Sequence, residues 1–384
     1  MPWKDQSRVT IRREYVTRAT QEGVNMTALC RQYGISRKTG YKWLGRGLDG
    51  DVADRPRTPH HQPRRCAPEV EAAVVAMRER YPWWGGRKLE VKLRESGLTD
   101  VPGPSTITAI LQRHGVLAPR QRRLPPATQR FEHATPHDLW QMDFMGHRPL
   151  VVPGRVHPLT ILDDHSRVLL SLTACPHEQL ETVWTLLAAC FARYGLPRAI
   201  LTDNGPPWGT SGDRGITRLD AWLLRLGIDL WHGRPRHPQT QGKVERIHET
   251  IRVEAFGTQT FRDLAAAQVG FDAFRMTYNL DRPHEALDYA VPMTRMAPSP
   301  RLLPDVLPEP VYAAEDAVRR VRGQGAIGFA NHSWFVSRGL IGEDVAVRPT
   351  AEDGVFTVHF CHRQVGHIDL HRSSKAVTYV SEHL

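Results

Sequence analysis

The chain has 384 residues and a net charge of +10, with 40% hydrophobic and 24% charged residues. This length predicts several domains, and this composition excludes a chain that is disordered throughout. No run of about 18 apolar residues could span a bilayer, and the first residues lack the apolar stretch of a secretory signal, so we expect a cytoplasmic protein without a membrane partner.

The positive charge is concentrated in the first third of the chain. Residues 1–130 contain 25 Lys and Arg against 12 Asp and Glu, a net charge of +13, whereas residues 131–384 contain 26 against 29, a net charge of −3. Because the neutralisation of phosphates drives affinity for DNA, this distribution predicts a polyanionic partner that is bound mainly by the N-terminal third. A solvated basic surface without a partner would carry the same charge.

Helix-capping signals predict a helix-turn-helix in a first domain of residues 1–48. A helix is predicted over 6–22, a second starts at Met26 after the cap Asn25, and a third covers 37–44 after the cap Ser36. The spacing predicts that three side chains pack inward: Ile35, Tyr41 and Leu44. The last helix presents four candidate DNA-binding residues to a major groove: Arg37, Lys38, Thr39 and Lys42. A helical hairpin in a protein that binds no DNA can look similar.

A second all-α unit is predicted over 68–118, between a linker at 49–67 and a basic linker at 119–134. Its helices are expected from Glu69 to Tyr81, from Arg87 to Glu95, and after a cap at Ser105. The sequence has no Gly-Lys-Ser or Gly-Lys-Thr phosphate loop, so we expect no nucleotide cofactor. The five cysteines are far apart, which predicts reduced thiols rather than a disulfide framework or a structural zinc site.

From residue 139 the pattern changes to α/β, in a predicted catalytic core of residues 135–298. Strands are predicted over 139–144, 159–162 and 168–173, then a helix over 178–194, a strand over 198–202, a helix to 226, a strand over 228–231 and a helix from about 241. That order is the order of the ribonuclease-H-like fold. A trailing helix over 261–280 and a linker at 299–310 follow. Alternating strands and glycine turns then predict a small β-barrel over 311–384.

Three carboxylates in this core are candidates for phosphoryl-transfer chemistry. Asp143 lies in the first strand, Asp203 ends a neighbouring strand, and Glu245 lies on the closing helix. Ligands gather at the carboxyl ends of strands in an open sheet. Convergent carboxylates repel one another without cations, and Mg²⁺ prefers oxygen ligands, so a two-metal site is expected. Each residue alone also has a structural interpretation, as a strand, turn or helix-surface residue.

Other polar residues near these carboxylates have simpler interpretations. Asp163 and Asp164 are adjacent acids between two strands, and such residues usually accept hydrogen bonds from backbone amides in the turn. His232 and His237 are alternatives for carrying protons at the site.

Several motifs together resemble bacterial insertion-sequence transposases that have a retroviral-integrase-type (DDE) core and an N-terminal helix-turn-helix. They are WQMDF at 140–144, LTDNG at 201–205, RPRHPQTQGKVER at 234–246, DDHSR at 163–167 and RPH at 282–284. The likeness covers nearly the whole chain. The 41 residues between Asp203 and Glu245 exceed the family's usual spacing, and we expect the additional residues in the loop at 208–215.

The resemblance implies a DNA transposase that works in two steps at one site. Water attacks the phosphodiester at a transposon end, and the freed 3′-hydroxyl then attacks target DNA. Asp143 and Asp203 would hold one Mg²⁺ jointly, Asp143 and Glu245 would hold a second, and Mn²⁺ should substitute. Lys243 and Arg246 are expected to contact the DNA end. The implied partners are terminal-repeat and target DNA, with a homo-oligomer of the chain on DNA in the nucleoid.

Two alternatives to a transposase stay open on the sequence. A repressor would bind the same DNA with a core that has lost catalysis, and a nuclease would use the same metals but stop after nicking a strand. The intact carboxylate set argues against a repressor. The two helical DNA-binding units and the C-terminal domain favour recombination over hydrolysis.

Overall fold

The computed structural model describes residues 7–54, 65–117, 132–203, 205, 207–208, 215–232, 242–257, 259–372 and 376–379. The chain forms two compact units, Met1–Cys66 and Ala67–Leu384. Among the described residues, no helix is both long and apolar enough to cross a membrane. All five cysteines are free thiols.

The first unit is a three-helix bundle whose capping residues were predicted correctly. Its helices are α1 (Arg8–Ala19), α2 (Met26–Gln32) and α3 (Arg37–Leu48). The side chain of Asn25 accepts hydrogen bonds from the first-turn amides of α2, and the hydroxyl of Ser36 accepts one from the Thr39 amide at 3.2 Å. These caps satisfy amides that have no partner inside a helix. The helices α2 and α3 with the intervening turn form the predicted helix-turn-helix.

The prediction that Tyr41 of α3 packs inward is wrong. Ile35 packs on the core of the first unit, but Tyr41 is 50% exposed, and Trp43 takes the inward position instead. The helical face is set by Gly40, where a Cβ would meet the Tyr15 hydroxyl at 2.3 Å. Gly40 therefore lets α3 approach α1 closely, and the next inward position is three residues later, at Trp43.

The second all-α unit consists of α4 (Pro68–Arg80), α5 (Gly86–Glu95) and α6 (Pro104–Arg113). Their apolar faces meet in a fully buried contact that includes Val74, Leu89 and Ile107. The predicted cap at Ser105 is wrong, because α6 begins at Pro104 and Gly103 takes the cap position, two residues before Ser105. Proline favours the first helical position, since its φ is already helical and it has no amide hydrogen to satisfy.

A mixed sheet forms the centre of the catalytic core and has the predicted ribonuclease-H-like order. The strand order is β4–β3–β1–β5–β6, with the short β2 paired to β3. β1, β5 and β6 are parallel, and β3 runs antiparallel to both β1 and β4. The strands are β1 (Leu139–Phe144), β2 (Arg148–Pro149), β3 (Arg155–Asp163), β4 (Leu169–Cys175), β5 (Ala199–Thr202) and β6 (Asp229–His232).

Helices cover both faces of this sheet, and Asp143 points to the face that α9 (Gly242–Ile251) covers. They are α7 (Leu180–Tyr194), α8 (Arg218–Arg225), α9 (Gly242–Ile251), which continues as a π-helix (Arg252–Phe256), and α10 (Leu264–Leu280). Trp140 and Met142 of β1 pack with residues of α7 and α8, whereas α9 and α10 pack on the opposite face. Side chains alternate along a strand, so Asp143 points to the face that α9 covers.

The second all-α unit contacts the helical segment that continues α9. The indole nitrogen of Trp84 donates to Glu254 in the π-helical continuation of α9, at 3.3 Å. The hydroxyl of Tyr81 donates to Asp281, which follows α10. Tyr81 and Trp84 also stack on each other with ring centroids 3.8 Å apart. Polar contacts therefore link the second all-α unit to the π-helical continuation of α9 and to the end of α10.

The C-terminal domain is an open sheet rather than the predicted small β-barrel. Among the described residues, five antiparallel strands have the order β13–β12–β11–β10–β7, and β8 and β9 form a separate hairpin. The apolar side of this sheet packs on Ala221 and Leu224 of α8. Because the catalytic core covers this side, the sheet need not close on itself. The strands are β7 (Ala317–Arg320), β8 (Ala326–Phe329), β9 (His332–Phe335), β10 (Asp344–Pro349), β11 (Val355–Phe360), β12 (Arg363–Asp369) and β13 (Thr378–Tyr379).

Candidate active site

Asp143 lies on β1, and Asp203 directly follows β5, the parallel neighbour of β1. Gln141 of β1 is opposite Leu201 of β5. The same register, extended two residues beyond the last paired position, would bring Asp143 beside Asp203, and the charge of Asp203 does act on Asp143. Both then project from the same face of the sheet, because side chains two residues apart on a strand share a face. The Asp203 carboxylate accepts a hydrogen bond from the Gly205 amide at 3.1 Å.

The electrostatics of Asp143 show that this pair has an excess of negative charge. Burial raises the pKa of Asp143 to about 7, with further contributions from the negative charges of Asp203, Glu178 and Glu245. Glu178 was not predicted; it precedes α7 and pairs with His157 at 2.8 Å. A carboxylate with such a pKa is costly to ionise in the folded protein, and a neighbouring cation would remove that cost.

The third predicted carboxylate, Glu245, lies in the first turn of α9 and is exposed. Its charge acts on Asp143, but the residues that the structure describes contain no group of three or more His, Cys, Asp or Glu side chains that could hold a metal ion. The charge of Glu245 thus acts on Asp143, but Glu245 is not gathered with the two aspartates. Most of the motif before it, residues 233–241 with His237, lies outside the described residues, as do residues 209–214 of the expected loop insertion.

The donor set of this site nevertheless fits a hard divalent cation. Asp143 and Asp203 offer carboxylate oxygens, the ligands that Mg²⁺ prefers, and two or three carboxylates suffice because Mg²⁺ keeps several waters. The raised pKa of Asp143 is the expected mark of oxygen ligands whose charge is not compensated.

A buried histidine next to the carboxylates was missed by the sequence analysis. His248 lies one helical turn after Glu245, and its Nδ1 is 3.9 Å from the Asp143 Oδ2 atom. The Thr160 hydroxyl donates to the Asp143 carbonyl oxygen, so His248 Nε2 donates to Thr160, at 2.8 Å. Burial lowers the pKa of His248 to about 4. The three-residue spacing from Glu245 on a helix is the signal that could have revealed it.

The adjacent aspartates of the turn after β3 accept backbone hydrogen bonds, as predicted. Asp163 accepts from the His137 amide at 2.8 Å and from both the amide and the hydroxyl of Ser166 at 2.7 and 2.6 Å. Asp164 accepts from the His133 amide at 2.9 Å. Asp164 also binds side chains: Nε2 of Gln141 donates to it at 2.7 Å, and the Lys243 ammonium forms an ion pair with it.

The predicted DNA-binding residues differ in their surroundings. Lys243 is bound to Asp164, and burial lowers its pKa, whereas Arg246 is exposed on α9. On α3, Arg37, Lys38 and Lys42 are exposed, and the Thr39 hydroxyl is 2.9 Å from that of the capping Ser36. Contact of these residues with DNA stays a prediction. His232 donates from Nδ1 to the carbonyl oxygen of Asp203 at 3.0 Å.

Comparisons with known families agree along most of the chain. Two models of the integrase core domain match residues 133–238 and 226–292, the first of which contains both aspartates and the second Glu245. A homeodomain-like domain matches residues 39–111. The C-terminal domain of IS481 family transposases matches residues 316–376.

Individual relatives come from mobile elements. An uncharacterised 31.7 kDa protein of insertion element IS407 from Burkholderia multivorans is 27% identical over 278 residues, which are 71% of this chain and 92% of that protein. An uncharacterised 39.2 kDa protein of insertion element IS476 from Xanthomonas euvesicatoria is 31% identical over 153 residues, 39% of this chain and 42% of that protein. A chain of the simian T-cell lymphotropic virus intasome is 16% identical, with a TM-score of 0.36, and covers 76% of this chain and 97% of its own.

The matches to the core, to the helical N-terminal region and to the C-terminal domain follow one another in chain order, and the fold of the core agrees with them. The chain therefore contains an integrase core domain and resembles insertion-sequence transposases along most of its length, and it is an enzyme of the polynucleotidyl-transferase class.

Proposed function

We propose that the protein binds the ends of its transposon and joins them to target DNA by metal-dependent cleavage and strand transfer at Asp143, Asp203 and Glu245. The observation that carries this proposal is that Asp143 and Asp203 lie at the carboxyl ends of neighbouring parallel strands, where burial and the charges of Asp203 and Glu245 raise the pKa of Asp143 to about 7. Burial and the charges of neighbouring carboxylates both oppose the ionisation of Asp143, and a bound metal ion would relieve both.

Each carboxylate has a separate task in this proposal. Asp143 and Asp203 would hold one Mg²⁺, and Glu245 with Asp143 would hold a second, with Mn²⁺ able to replace either. Bound metal would activate the attacking oxygen and neutralise the charge that develops at phosphorus. The sheet fixes the two aspartates relative to each other, while α9 sets the approach of Glu245. No protein nucleophile takes part, since water and then the 3′-hydroxyl attack phosphorus in line.

The proposed partners are terminal-repeat DNA and target DNA, bound by a homo-oligomer that pairs two ends. The domain divisions of the sequence analysis, with DNA-binding units at 1–48 and 68–118, belong to the same proposal. The exposed face of α3, which carries Arg37, Lys38 and Lys42, would enter the major groove. Thr39 would contact the same DNA groove from α3. Arg246, on α9, would contact DNA at the active site.

Replacement of Lys42 by Ala tests the helix-turn-helix. We expect weaker binding of end DNA and a salt dependence of log K that is less steep by about one, because one phosphate contact is lost. Fluorescence anisotropy with a labelled end duplex at several salt concentrations measures both. Arg18→Ala is the matched control, since Arg18 lies on α1 of the same unit and pairs with Glu14 at 2.8 Å. An equal loss in both variants would show that only bulk charge matters.

The joining of a labelled transposon-end duplex to plasmid in Mg²⁺ tests the proposed reaction directly, with DNA flanking the gene as the first substrate. The wild-type protein should join ends, and Glu245→Gln, which keeps the side-chain shape but removes the charge, should reduce joining by at least about 10³-fold. Glu249→Gln, one helical turn further along α9, is the control and should retain joining.

Other outcomes of this assay separate the alternative functions. Cleavage without joining would show a nuclease. Binding of end DNA with no cleavage by the wild-type protein, on a substrate that includes both ends, would show a repressor. Joining that Glu245→Gln does not reduce would remove Glu245 from the proposed set.

A further inference from the structure

A buried carboxylate outside the proposed catalytic set is attached to the strand that carries Asp143. Asp164 is 2% exposed. Its amide donates to the carbonyl oxygen of Leu139 at 2.9 Å, and its carboxylate accepts a hydrogen bond from Nε2 of Gln141 at 2.7 Å. Leu139 and Gln141 are on the same face of β1 as Asp143. Asp164 is therefore fixed to the catalytic strand at two points.

The same carboxylate is also attached to the helix that carries Glu245. The Lys243 ammonium forms an ion pair with the Asp164 Oδ1 atom and lies 3.4 Å from the Asp164 carbonyl oxygen. Lys243 stands in the first turn of α9, two residues before Glu245, and its side chain is 20% exposed. The guanidinium of Arg167 is more distant from the Asp164 carboxylate, at 4.0 Å. Asp164 thus bridges the two elements that must come together at the active site.

Directional contacts hold α9 to the sheet in its first turn, through Lys243, and in its second turn, where His248 Nε2 donates to Thr160 of β3 at 2.8 Å. The ion pair of Lys243 is the one of these that acts on the turn that carries Glu245. Val244, Ile247 and Ile251 bury apolar side chains, and such contacts are not directional. An ion pair with hydrogen-bond geometry has a defined partner and direction, and setting register is the best-supported use of such buried pairs. One residue of helix corresponds to a shift of about 1.5 Å, and a misplacement of about 1 Å at a reacting centre can cost about 10²-fold in rate.

We propose that Asp164 and Lys243 are positioning residues, whose ion pair holds the first turn of α9 against β1 and so sets the distance of Glu245 from Asp143 and Asp203. The consequence for catalysis rests on the proposed function, but the link between helix and strand does not. This role competes with a direct contact of Lys243 with the DNA end. Asp164→Asn separates the two, because it removes the partner of Lys243 while it leaves the lysine charged and able to meet DNA.

The test uses the intact protein with four variants: Asp164→Asn, Lys243→Met, Lys243→Arg and Glu343→Gln. The last is the control, because Glu343 pairs with Arg225 at 3.2 Å between the C-terminal domain and α8, away from α9. Three quantities are measured. They are hydrogen exchange of residues 242–251 without metal, affinity for a labelled end duplex in EDTA, and the joining rate at saturating DNA.

We expect Asp164→Asn and Lys243→Met to speed exchange across the first turns of α9 at least about tenfold, because the local opening free energy falls. Both should lower the joining rate about 10²-fold, with the affinity for end DNA changed by less than about threefold. Lys243→Arg should retain most of the rate, and Glu343→Gln should match the wild type. This split between rate and affinity would not follow from a general loss of stability.

Two results would overturn the proposal. In one, Lys243→Met weakens the binding of end DNA and Asp164→Asn does not, which would assign Lys243 to DNA. In the other, exchange in α9 is unchanged in both variants. If Asp164→Asn does not fold, the two Lys243 variants decide, since they leave the bonds of Asp164 to β1 in place. A wild-type protein that joins no DNA would contradict the proposed function, while exchange in α9 would still decide the ion pair.

Discussion

Asp143→Asn should abolish DNA joining and at the same time stabilise the metal-free protein at pH 8. The loss of joining should be at least about 10³-fold, because Asp143 is the carboxylate that both proposed metals share. The gain in stability follows from its raised pKa. An aspartate that ionises near pH 4 in the unfolded chain but at about pH 7 in the folded chain opposes folding wherever it is ionised.

The stability difference between the wild type and Asp143→Asn should depend on pH, in a direction that follows from the raised pKa of Asp143. The folded state binds the proton of Asp143 more tightly than the unfolded state, so its contribution to stability is present below about pH 4 and is lost as the pH rises to about 7. Thermal unfolding in EDTA should therefore show only a small difference between wild type and variant at pH 4.5, of about 1 kcal/mol. By pH 8 the variant should be more stable by about 2–4 kcal/mol, allowing for partial solvent screening.

Asp272→Asn provides the matched control for Asp143→Asn, since Asp272 is 52% exposed on α10. This control should join DNA normally and show no pH-dependent gain in stability. Mg²⁺ should raise the Tm of the wild type and of Asp272→Asn at pH 8, and should raise that of Asp143→Asn much less. If the Tm difference between the wild type and Asp143→Asn is the same at pH 4.5 and at pH 8, the electrostatic account of the site is contradicted.

The second large effect is expected in the helical segment that continues α9, where Arg282 donates from Nη2 and Nε to Oε1 and Oε2 of Glu254, at 2.9 and 3.1 Å, in a bidentate ion pair. Both side chains are about nine-tenths buried. Glu254→Leu should destabilise the protein by about 3–5 kcal/mol, because it leaves the Arg282 charge and the Trp84 indole without their buried partner. Urea unfolding followed by tryptophan fluorescence and by circular dichroism measures this loss.

The double variant Glu254→Leu/Arg282→Met is the control for that prediction. It removes both charges, so it should recover at least half of the lost stability, although the Trp84 indole still lacks its acceptor. A double variant that is as unstable as the sum of the two single variants would show that the residues do not act as a pair. Glu285→Gln, which affects the exposed pair with Arg87, should change stability by less than about 1 kcal/mol.

The sequence was sufficient for the parts of the site that local pattern determines. The strand Leu139–Phe144 was predicted at its observed bounds, because an apolar run with a single acid is an unusual and therefore informative pattern. The strand order then placed Asp143 and Asp203 at neighbouring positions. The caps Asn25 and Ser36 were equally visible, since a cap depends on residues that are adjacent in the chain.

What the sequence did not reveal depends on contacts between distant segments. The bond between Asp164 and Lys243 joins residues 79 apart, and no periodicity signals it. The outward position of Tyr41 follows from the close approach of α1 to Gly40, which a single helix does not encode. The barrel was predicted from alternating strands alone, and alternation does not reveal whether the apolar side of a sheet is covered by its own strands or by another domain.

The apolar contact between α8 and the C-terminal sheet determines where this protein can be shortened. A protein that ended before residue 311 would leave Ala221 and Leu224 facing water. A C-terminal sheet separated from the core would likewise expose its own apolar side. Such an exposed surface promotes aggregation and degradation. The division between the two compact units, after Cys66, carries no such penalty within either unit. Engineered or natural short forms are therefore expected to keep or lose the helix-turn-helix, with the integrase core and its C-terminal sheet inherited as one piece.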